Sequence, residues 1–274
     1  MKLGRIGLFI LSLTVCFLSC NKDDGGDSDI VIETRDRVEQ QIIDIDSIAG
    51  YLDTHYYNSD DLNDNPNFGI ADLQITPLNE GETEAQTGFK LLKDELKTAE
   101  NPDGKLELRS AIFANTDYEY YLLILKQGGG EESPSFADNI MVNYEGFTLD
   151  NEVFDNAINP VEFDLTTLIP GWRKAMPNFN VAADFVENND GTVNFVDAGL
   201  GVMFLPSGLA YFQNAQIGIP SYSPLIFKFE LIYTTENDHD SDGVPSYMED
   251  LNGDGEFNIN SEEGVFDGDD TDED

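Results

Sequence analysis

The chain's single tryptophan, Trp172, follows a proline-glycine bend in the segment Leu168-Ile169-Pro170-Gly171-Trp172. Tryptophan brings a large apolar surface, so it serves either as an anchor of a core or as the floor of an apolar pocket. His55 and His239 are the only histidines, and they lie alone in the sequence, which indicates neither a catalytic histidine nor a zinc site. The segments around Trp172 therefore decide what chemistry this bend could support.

Five segments, in order and at compatible spacings, resemble elements of the FKBP-type peptidyl-prolyl isomerases. They are Val142-Asn143-Tyr144-Glu145-Gly146 with Val153-Phe154-Asp155, Pro160-Val161-Glu162-Phe163, Leu168-Ile169-Pro170-Gly171-Trp172, Leu205-Pro206-Ser207-Gly208-Leu209-Ala210-Tyr211, and Ile219-Pro220 with the closing strand Leu225 to Leu231. The resemblance covers roughly residues 118–235. It implies an α+β fold, an antiparallel half-barrel of five to six strands wrapped on a short helix.

Isomerisation of an Xaa-Pro bond needs no nucleophile, metal or proton donor. Its barrier is about 18–20 kcal/mol because the amide resonance must be broken. The twisted amide is less dipolar than the planar one, so a dry pocket favours the transition state. Donors on the neighbouring carbonyl oxygens can hold the twisted geometry. We therefore expect an aromatic and aliphatic site with few polar groups and no cofactor for catalysis.

The resemblance implies a role for ten residues. Trp172 would be the floor beneath the proline ring, Tyr144, Phe154 and Phe227 the walls, and Val161, Leu168 and Ile219 the remaining apolar lining, while the Ile169 N–H and the Tyr211 hydroxyl would bind the carbonyls that flank the proline and Asp155 would orient Tyr144 at the rim. Phe163 and Phe229 are expected to be ordinary core residues.

The sequence also departs from the family pattern. Val161 stands where the family often has phenylalanine, and residues 156–159 form a shortened loop without the usual basic residue. Residues 177–201 are longer than the usual connection, and the loop 212–223 lacks the usual histidine. These departures predict weak activity and an altered sequence preference.

The C-terminal tail, residues 236–274, holds 16 acidic residues and neither lysine nor arginine, so it cannot bury a core of its own. Two runs in it have the alternating carboxylates and glycines of calcium-binding loops and resemble thrombospondin type 3 repeats. The candidate ligands are Asp238, Asp240, Asp242, Val244 and Glu249 in the first run, and Asp250, Asn252, Asp254 and Glu256 in the second. The tail is expected to be disordered or ordered by calcium, and the alternative to a calcium site is a solvated acidic tail that binds ions only loosely.

The chain begins with a targeting segment, residues 1–19, which has Lys2 and Arg5 before a short apolar run. It ends in a sequence that resembles a lipobox, so Cys20 is the candidate lipidated residue. The following Lys-then-acidic stretch resembles the surface-export signal of lipoproteins in Bacteroidetes-type bacteria. We therefore expect a lipid-anchored protein of the bacterial outer membrane, with residues 20–33 as a tether and Cys20 as the contact with the membrane.

Residues 34–116 are expected to form an extension, followed by the isomerase-like domain, residues 117–235. Spacings of three and four predict a helix from Thr34 to His55, with Thr34 as its N-cap. Its apolar face would comprise Val38, Ile42, Ile45, Ala49 and Leu52. Packing on its own domain is favoured over a homodimer through this helix. Short strands are expected at 68–78 and 88–96, with a loop at 58–67.

The net charge of −40, from 54 acidic and 14 basic residues, argues against nucleic acid as a partner. Two functions remain. One is a prolyl isomerase that assists the folding of exported proteins and takes proline-containing polypeptides as clients. The other is a calcium-dependent surface protein that uses the same scaffold to bind proline-containing segments without turnover.

Overall fold

A computed structural model describes residues 34–251, 253, 255 and 256. The described residues belong to one compact unit. The leader, Cys20, the tether and residues 252, 254 and 257–274 lie outside the described residues, so the predictions for them are not tested.

The N-terminal helix, α1 (Arg37–Thr54), begins at Asp36, whose carboxylate accepts hydrogen bonds from the N–H groups of Val38 and Glu39. The prediction of Thr34 as N-cap is therefore wrong, since Asp36 meets the same need. The predicted face is also wrong in its first half, because Val38 and Ile42 are 57% and 59% exposed. The buried face consists of Gln40, Gln41, Asp44, Ile48, Tyr51 and Leu52.

Polar contacts explain why α1 buries a different face from the predicted one. The Asp44 carboxylate accepts hydrogen bonds from the N–H and hydroxyl of Ser207, at 2.7 and 2.6 Å. Gln41 donates to the carbonyl of Glu119 at 3.1 Å. The helix thus packs on its own unit, which was the favoured prediction. A homodimer through its exposed side stays a prediction.

The rest of the extension is short and irregular. It comprises β1 (His55–Tyr57), α2 (Ser59–Asp64), β2 (Ile75–Pro77) and β3 (Lys90–Leu91), and the three strands form an antiparallel sheet of order β2-β1-β3. Helix α2 lies where a loop was expected. The strands are shorter than predicted, since Leu92–Glu95 forms a 3₁₀ turn directly after β3.

The main sheet has six strands in antiparallel pairs. In chain order the elements are β4 (Leu106–Phe113), β5 (Thr116–Lys126), β6 (Asn139–Thr148), β7 (Val153–Asp164), α3 (Pro170–Ala175), β8 (Asp184–Glu187), β9 (Val193–Val196), β10 (Gly199–Leu205) and β11 (Leu225–Thr235). The strand order is β4-β5-β10-β11-β6-β7, and β8 with β9 forms a separate hairpin. The α+β class and the six-stranded sheet are confirmed.

Both faces of this sheet are covered. On one face, Trp172, Ala175 and Met176 pack against strand residues such as Leu122 and Phe229, and we call this cluster the pocket core. On the other face, α1 and the extension contribute residues such as Ile48 and Phe68, and these pack against Phe204 and Ile226. Strand β4 pairs with β5 along its whole length. The predicted boundary between residues 116 and 117 therefore falls inside the β4–β5 hairpin.

Strand β7 runs continuously through the segment that was predicted as a loop. Ala157 is opposite Tyr144 and Val161 is opposite Val142, so three residues of β7 bulge opposite Asn143. Pro160 lies in this bulge, where its missing N–H costs no ladder hydrogen bond. The prediction of a shortened loop at 156–159 is wrong, because residues 158–160 form the bulge and the strand continues through them.

Candidate functional site

Helix α3 places Trp172 over the middle of the main sheet. The helix has six residues and begins with Pro170, whose fixed φ suits the first helical position. Gly171 follows, and a Cβ there would collide with the side chain of Leu205 on β10. Glycine therefore allows α3 to lie directly on the sheet, and the Trp172 side chain that follows is 3% exposed.

An aromatic cluster surrounds the indole of Trp172. The ring centroids of Tyr144 and Phe227 lie 5.8 and 5.3 Å from it, both in edge-to-face geometry. Phe154 packs edge-to-face on Phe227 at 5.5 Å, and Phe163 lies 6.5 Å from the indole. Such pairs prefer this geometry and hold one another at fixed angles, so the rings form walls of defined shape.

These walls enclose a pocket of about 210 Å³. Its lining consists of Tyr144, Phe154, Asp155, Phe163, Thr167, Leu168, Ile169, Trp172, Tyr211 and Phe227. Eight of the ten residues predicted from the sequence are thus brought together. Their roles in binding or catalysis remain predictions, but their proximity is a property of the fold.

The two other predicted residues do not line the pocket. Ile219 is 5% exposed and belongs to the pocket core, and Val161 packs against that core from β7. Phe163 lines the pocket, although the sequence suggested a core residue. Phe163 and Val161 are two residues apart on one strand, so the alternation of strand faces could have identified Phe163. Thr167 was also missed, and it directly precedes Leu168.

Few polar groups reach the pocket. The Tyr144 hydroxyl donates a hydrogen bond of 2.6 Å to the Asp155 carboxylate. Burial, together with this hydrogen bond and the charge of Asp155, raises the pKa of Tyr144 above its usual value. Burial and the same charge also raise the pKa of Tyr211. Both hydroxyls are therefore protonated at neutral pH, and Tyr211 can donate a hydrogen bond to a ligand.

A larger and more open cavity, about 860 Å³, adjoins the pocket, and Tyr144 lines both. It lies between the β7 bulge, the β8–β9 hairpin and the extension. Its lining is rich in amides and charged groups, including Glu145, Lys228 and Glu230. Because these polar groups share the lining with apolar residues such as Ile158 and Phe195, the smaller aromatic pocket suits a proline ring better and is the better candidate site.

The acidic tail brings together three of its predicted ligands. Carboxylate oxygens of Asp238, Asp240 and Asp242 lie within 4.8 Å of one another. Asp238 accepts hydrogen bonds from the N–H groups three and five residues later, and Asp250 does the same at Gly253 and Gly255. The two runs therefore fold alike where they are described. The N–H of Val244 donates a hydrogen bond to the Asp242 carboxylate. Asn252 and Asp254 lie outside the described residues.

Glu256, predicted as a ligand in the second run, has its carboxylate at α3. It forms ion pairs with Arg173 and Lys174 of that helix, at 2.7 and 2.9 Å. These two cations would compete with a metal ion for the carboxylate, and the ligand role of Glu256 stays a prediction. Glu249 is buried at 9% exposure, and the described cluster consists of the three aspartates alone.

The family model for FKBP-type peptidyl-prolyl cis-trans isomerase matches residues 130–186, which include Tyr144, Phe154 and Trp172. This part of the chain is therefore similar in sequence to isomerases of that type. Escherichia coli FkpA is 31% identical over 109 residues, which are 39% of this chain and 34% of that protein. Coxiella burnetii Mip is 30% identical over 110 residues, 39% of this chain and 41% of Mip.

The chain thus spans about a third of the length of the FkpA proteins that it matches. Among solved structures, a peptidyl-prolyl cis-trans isomerase from Pseudomonas syringae pv. tomato is 25% identical, with a TM-score of 0.35, and the match covers 43% of this chain and 76% of that one. Escherichia coli FkpA is 28% identical with the same TM-score, over 42% and 48% of the two chains.

Proposed function

We propose that this protein is an FKBP-type peptidyl-prolyl isomerase that acts on proline-containing segments of exported proteins. The observation that carries the proposal is the pocket of about 210 Å³ with Trp172 at its base and Tyr144, Phe154 and Phe227 around it. Its apolar rings suit a pyrrolidine ring, and its size suits one residue rather than a long side chain. The similarity to isomerases of this type supports the same activity.

In the proposed reaction the aromatic walls exclude water from the proline and its preceding amide. The less dipolar, twisted amide is then favoured relative to the planar forms. The Tyr211 hydroxyl, held protonated at neutral pH, donates to the carbonyl before the proline, and the Ile169 N–H donates to the one after it. Asp155 acts by orienting Tyr144. No bond to the substrate forms, so no nucleophile or metal takes part in the step.

The direct test is the rate at which the full chain equilibrates cis and trans Xaa-Pro bonds in short peptides. We expect acceleration over the uncatalysed rate, and we expect Trp172→Ala to abolish most of it because the pocket loses its floor. Phe229→Leu serves as a matched control, since Phe229 packs on Trp172 from the core and does not line the pocket. A wild-type rate equal to background on several peptides would refute the proposal.

We further propose that the protein acts at the bacterial cell envelope, anchored to the outer membrane by lipid on Cys20. The leader and its lipobox-like end support this location. Within the described residues, no helix combines the length and apolar character that crossing a membrane requires. Cys20→Ser should move the protein out of the membrane fraction, and protease treatment of intact cells should show whether the domain faces outward.

A second candidate is binding without turnover, controlled by calcium. The convergence of Asp238, Asp240 and Asp242 within 4.8 Å favours a calcium site in the tail. Titration of Trp172 fluorescence with proline peptides, with and without calcium, separates the candidates when the isomerisation rate is measured on the same samples. Tight binding that requires calcium, without rate acceleration, would support the binding protein. Acceleration that does not depend on calcium would support the isomerase.

A further inference from the structure

The acidic tail returns to the helix that carries the pocket floor. Glu256 is 8% exposed, and its carboxylate contacts both Arg173 and Lys174, the two residues that follow Trp172. The side chains of both cations are also nearly buried, at 10% and 12% exposure. The Lys174 ammonium makes a further contact of 3.3 Å with the carbonyl of Gly255. The tail is thus seated on α3 by a buried cluster of three charges.

A second contact ties the tail to the other end of the same segment. The His239 Nε2 lies 3.0 Å from the carboxylate of Asp164. Asp164 ends β7 and caps the 3₁₀ turn Leu165–Thr167 by accepting from the N–H of Thr166. His239 is held in turn by Ser246, which is fully buried and 2.7 Å from its Nδ1.

Four pocket residues lie between these two contacts: Thr167, Leu168, Ile169 and Trp172. We call residues 237–251 with 253, 255 and 256 the strap. A helix of six residues is too short to be stable alone, so the orientation of α3 depends on what holds it. The strap supplies an ionic contact at one end of this segment and a hydrogen-bonding contact at the other.

We propose that the strap positions the floor of the pocket, with Glu256 as the main positioning residue. Without Glu256, the buried guanidinium of Arg173 would lose the carboxylate that pairs with it, and an unpaired buried charge is far less favourable than a paired one. The guanidinium would recover water only if α3 turned or moved outward. Trp172 precedes Arg173 directly, so the same movement would displace the indole and open the pocket.

The test compares Glu256→Gln with Glu236→Gln in the full chain. Both variants remove one negative charge from the acidic tail, but Glu236 lies exposed at the start of the tail. We expect amide hydrogen exchange in residues 165–175 to become about tenfold faster in Glu256→Gln, while β5 and β10 keep their wild-type protection. Trp172 is the only tryptophan, so its fluorescence should shift to longer wavelength and become easier to quench.

Glu256→Asp, which keeps the charge on a shorter side chain, should restore at least half of the protection. A chain that ends after Leu251 retains His239 and Ser246 but lacks Glu256, and it should reproduce the local loosening. Unchanged exchange and fluorescence in Glu256→Gln would overturn the proposal, as would a loss of protection spread equally over all strands. These measurements need no isomerase activity, so they succeed or fail independently of the proposed function.

Discussion

Gly146 lies where the two aromatic walls of the pocket meet. It is opposite Phe227 on β11 and opposite Asp155 on β7. A Cβ at this position would lie 2.7 Å from ring atoms of both Phe154 and Phe227. Ordinary contacts begin at about 3.4 Å, so Gly146→Ala would require each ring to move by about 0.7 Å. In a pocket of about 210 Å³, this displacement changes the shape of both walls.

Overpacking of this kind costs about 1–3 kcal/mol. If that cost falls on the bound transition state, kcat/KM for a proline peptide drops between about fivefold and about 150-fold. The assay is the isomerisation rate of the folded variant, with its thermal transition measured alongside. The expected result is a stable protein that is at least fivefold slower than the wild type.

Gly50→Ala provides the matched control. Gly50 lies inside α1, and nothing lies within 4 Å of its hypothetical Cβ. Alanine should stabilise the helix by up to about 1 kcal/mol and leave the rate unchanged. A folded Gly146→Ala protein with wild-type kcat/KM would refute the assignment of Phe154 and Phe227 as pocket walls.

Three other predictions follow from single side chains. Tyr211→Phe should lower kcat/KM about tenfold through the loss of one hydrogen bond to the transition state, and an unchanged rate would remove Tyr211 from the carbonyl contact. Because the pKa values of Tyr144 and Tyr211 are raised, kcat/KM should stay constant from pH 7 to 9, and a fall across that range would contradict their protonated state. Burial raises the pKa of Asp44 above its ordinary value of 3.8. The contribution of this shift to the free energy of unfolding is therefore complete below that pH and is lost as the pH rises through the pKa of the folded state. The free energy of unfolding in urea should therefore fall for the wild type relative to Asp44→Asn as the pH rises from about 4 to 7. If the free energies of the two proteins change with pH in parallel, the prediction is contradicted.

Eight pocket residues could be predicted because they lie in short segments that resemble elements of the FKBP-type isomerases, and that resemblance implied their roles. Tyr144 lies within β6, Phe154 near the start of β7 and Pro170 at the start of α3, where its fixed φ restricts the backbone. Val161 was misplaced because its position depends on a β-bulge around Pro160, which changes the register between β6 and β7. A bulge depends on both strands, so the pattern of one strand does not reveal it.

The extension was harder to predict for a different reason. The buried face of α1 contains Gln40, Gln41 and Asp44, which are satisfied by groups far away in the chain, such as Ser207. Hydrophobic spacing therefore favoured the wrong side in the first half of the helix. Glu256 shows the same limit, since its charge pattern suggested a metal ligand while its partners lie about eighty residues earlier on α3. Long-range polar contacts leave no periodic signal in the sequence.

If the protein is an isomerase, the pocket over Trp172 must accelerate the rotation of Xaa-Pro bonds. The most direct measurement is NMR line-shape or exchange analysis of a short proline peptide with catalytic amounts of the full chain. We expect faster cis–trans exchange with the wild type and nearly background exchange with Trp172→Ala. Exchange at the uncatalysed rate with the wild type, or equal acceleration by the two proteins, would contradict it.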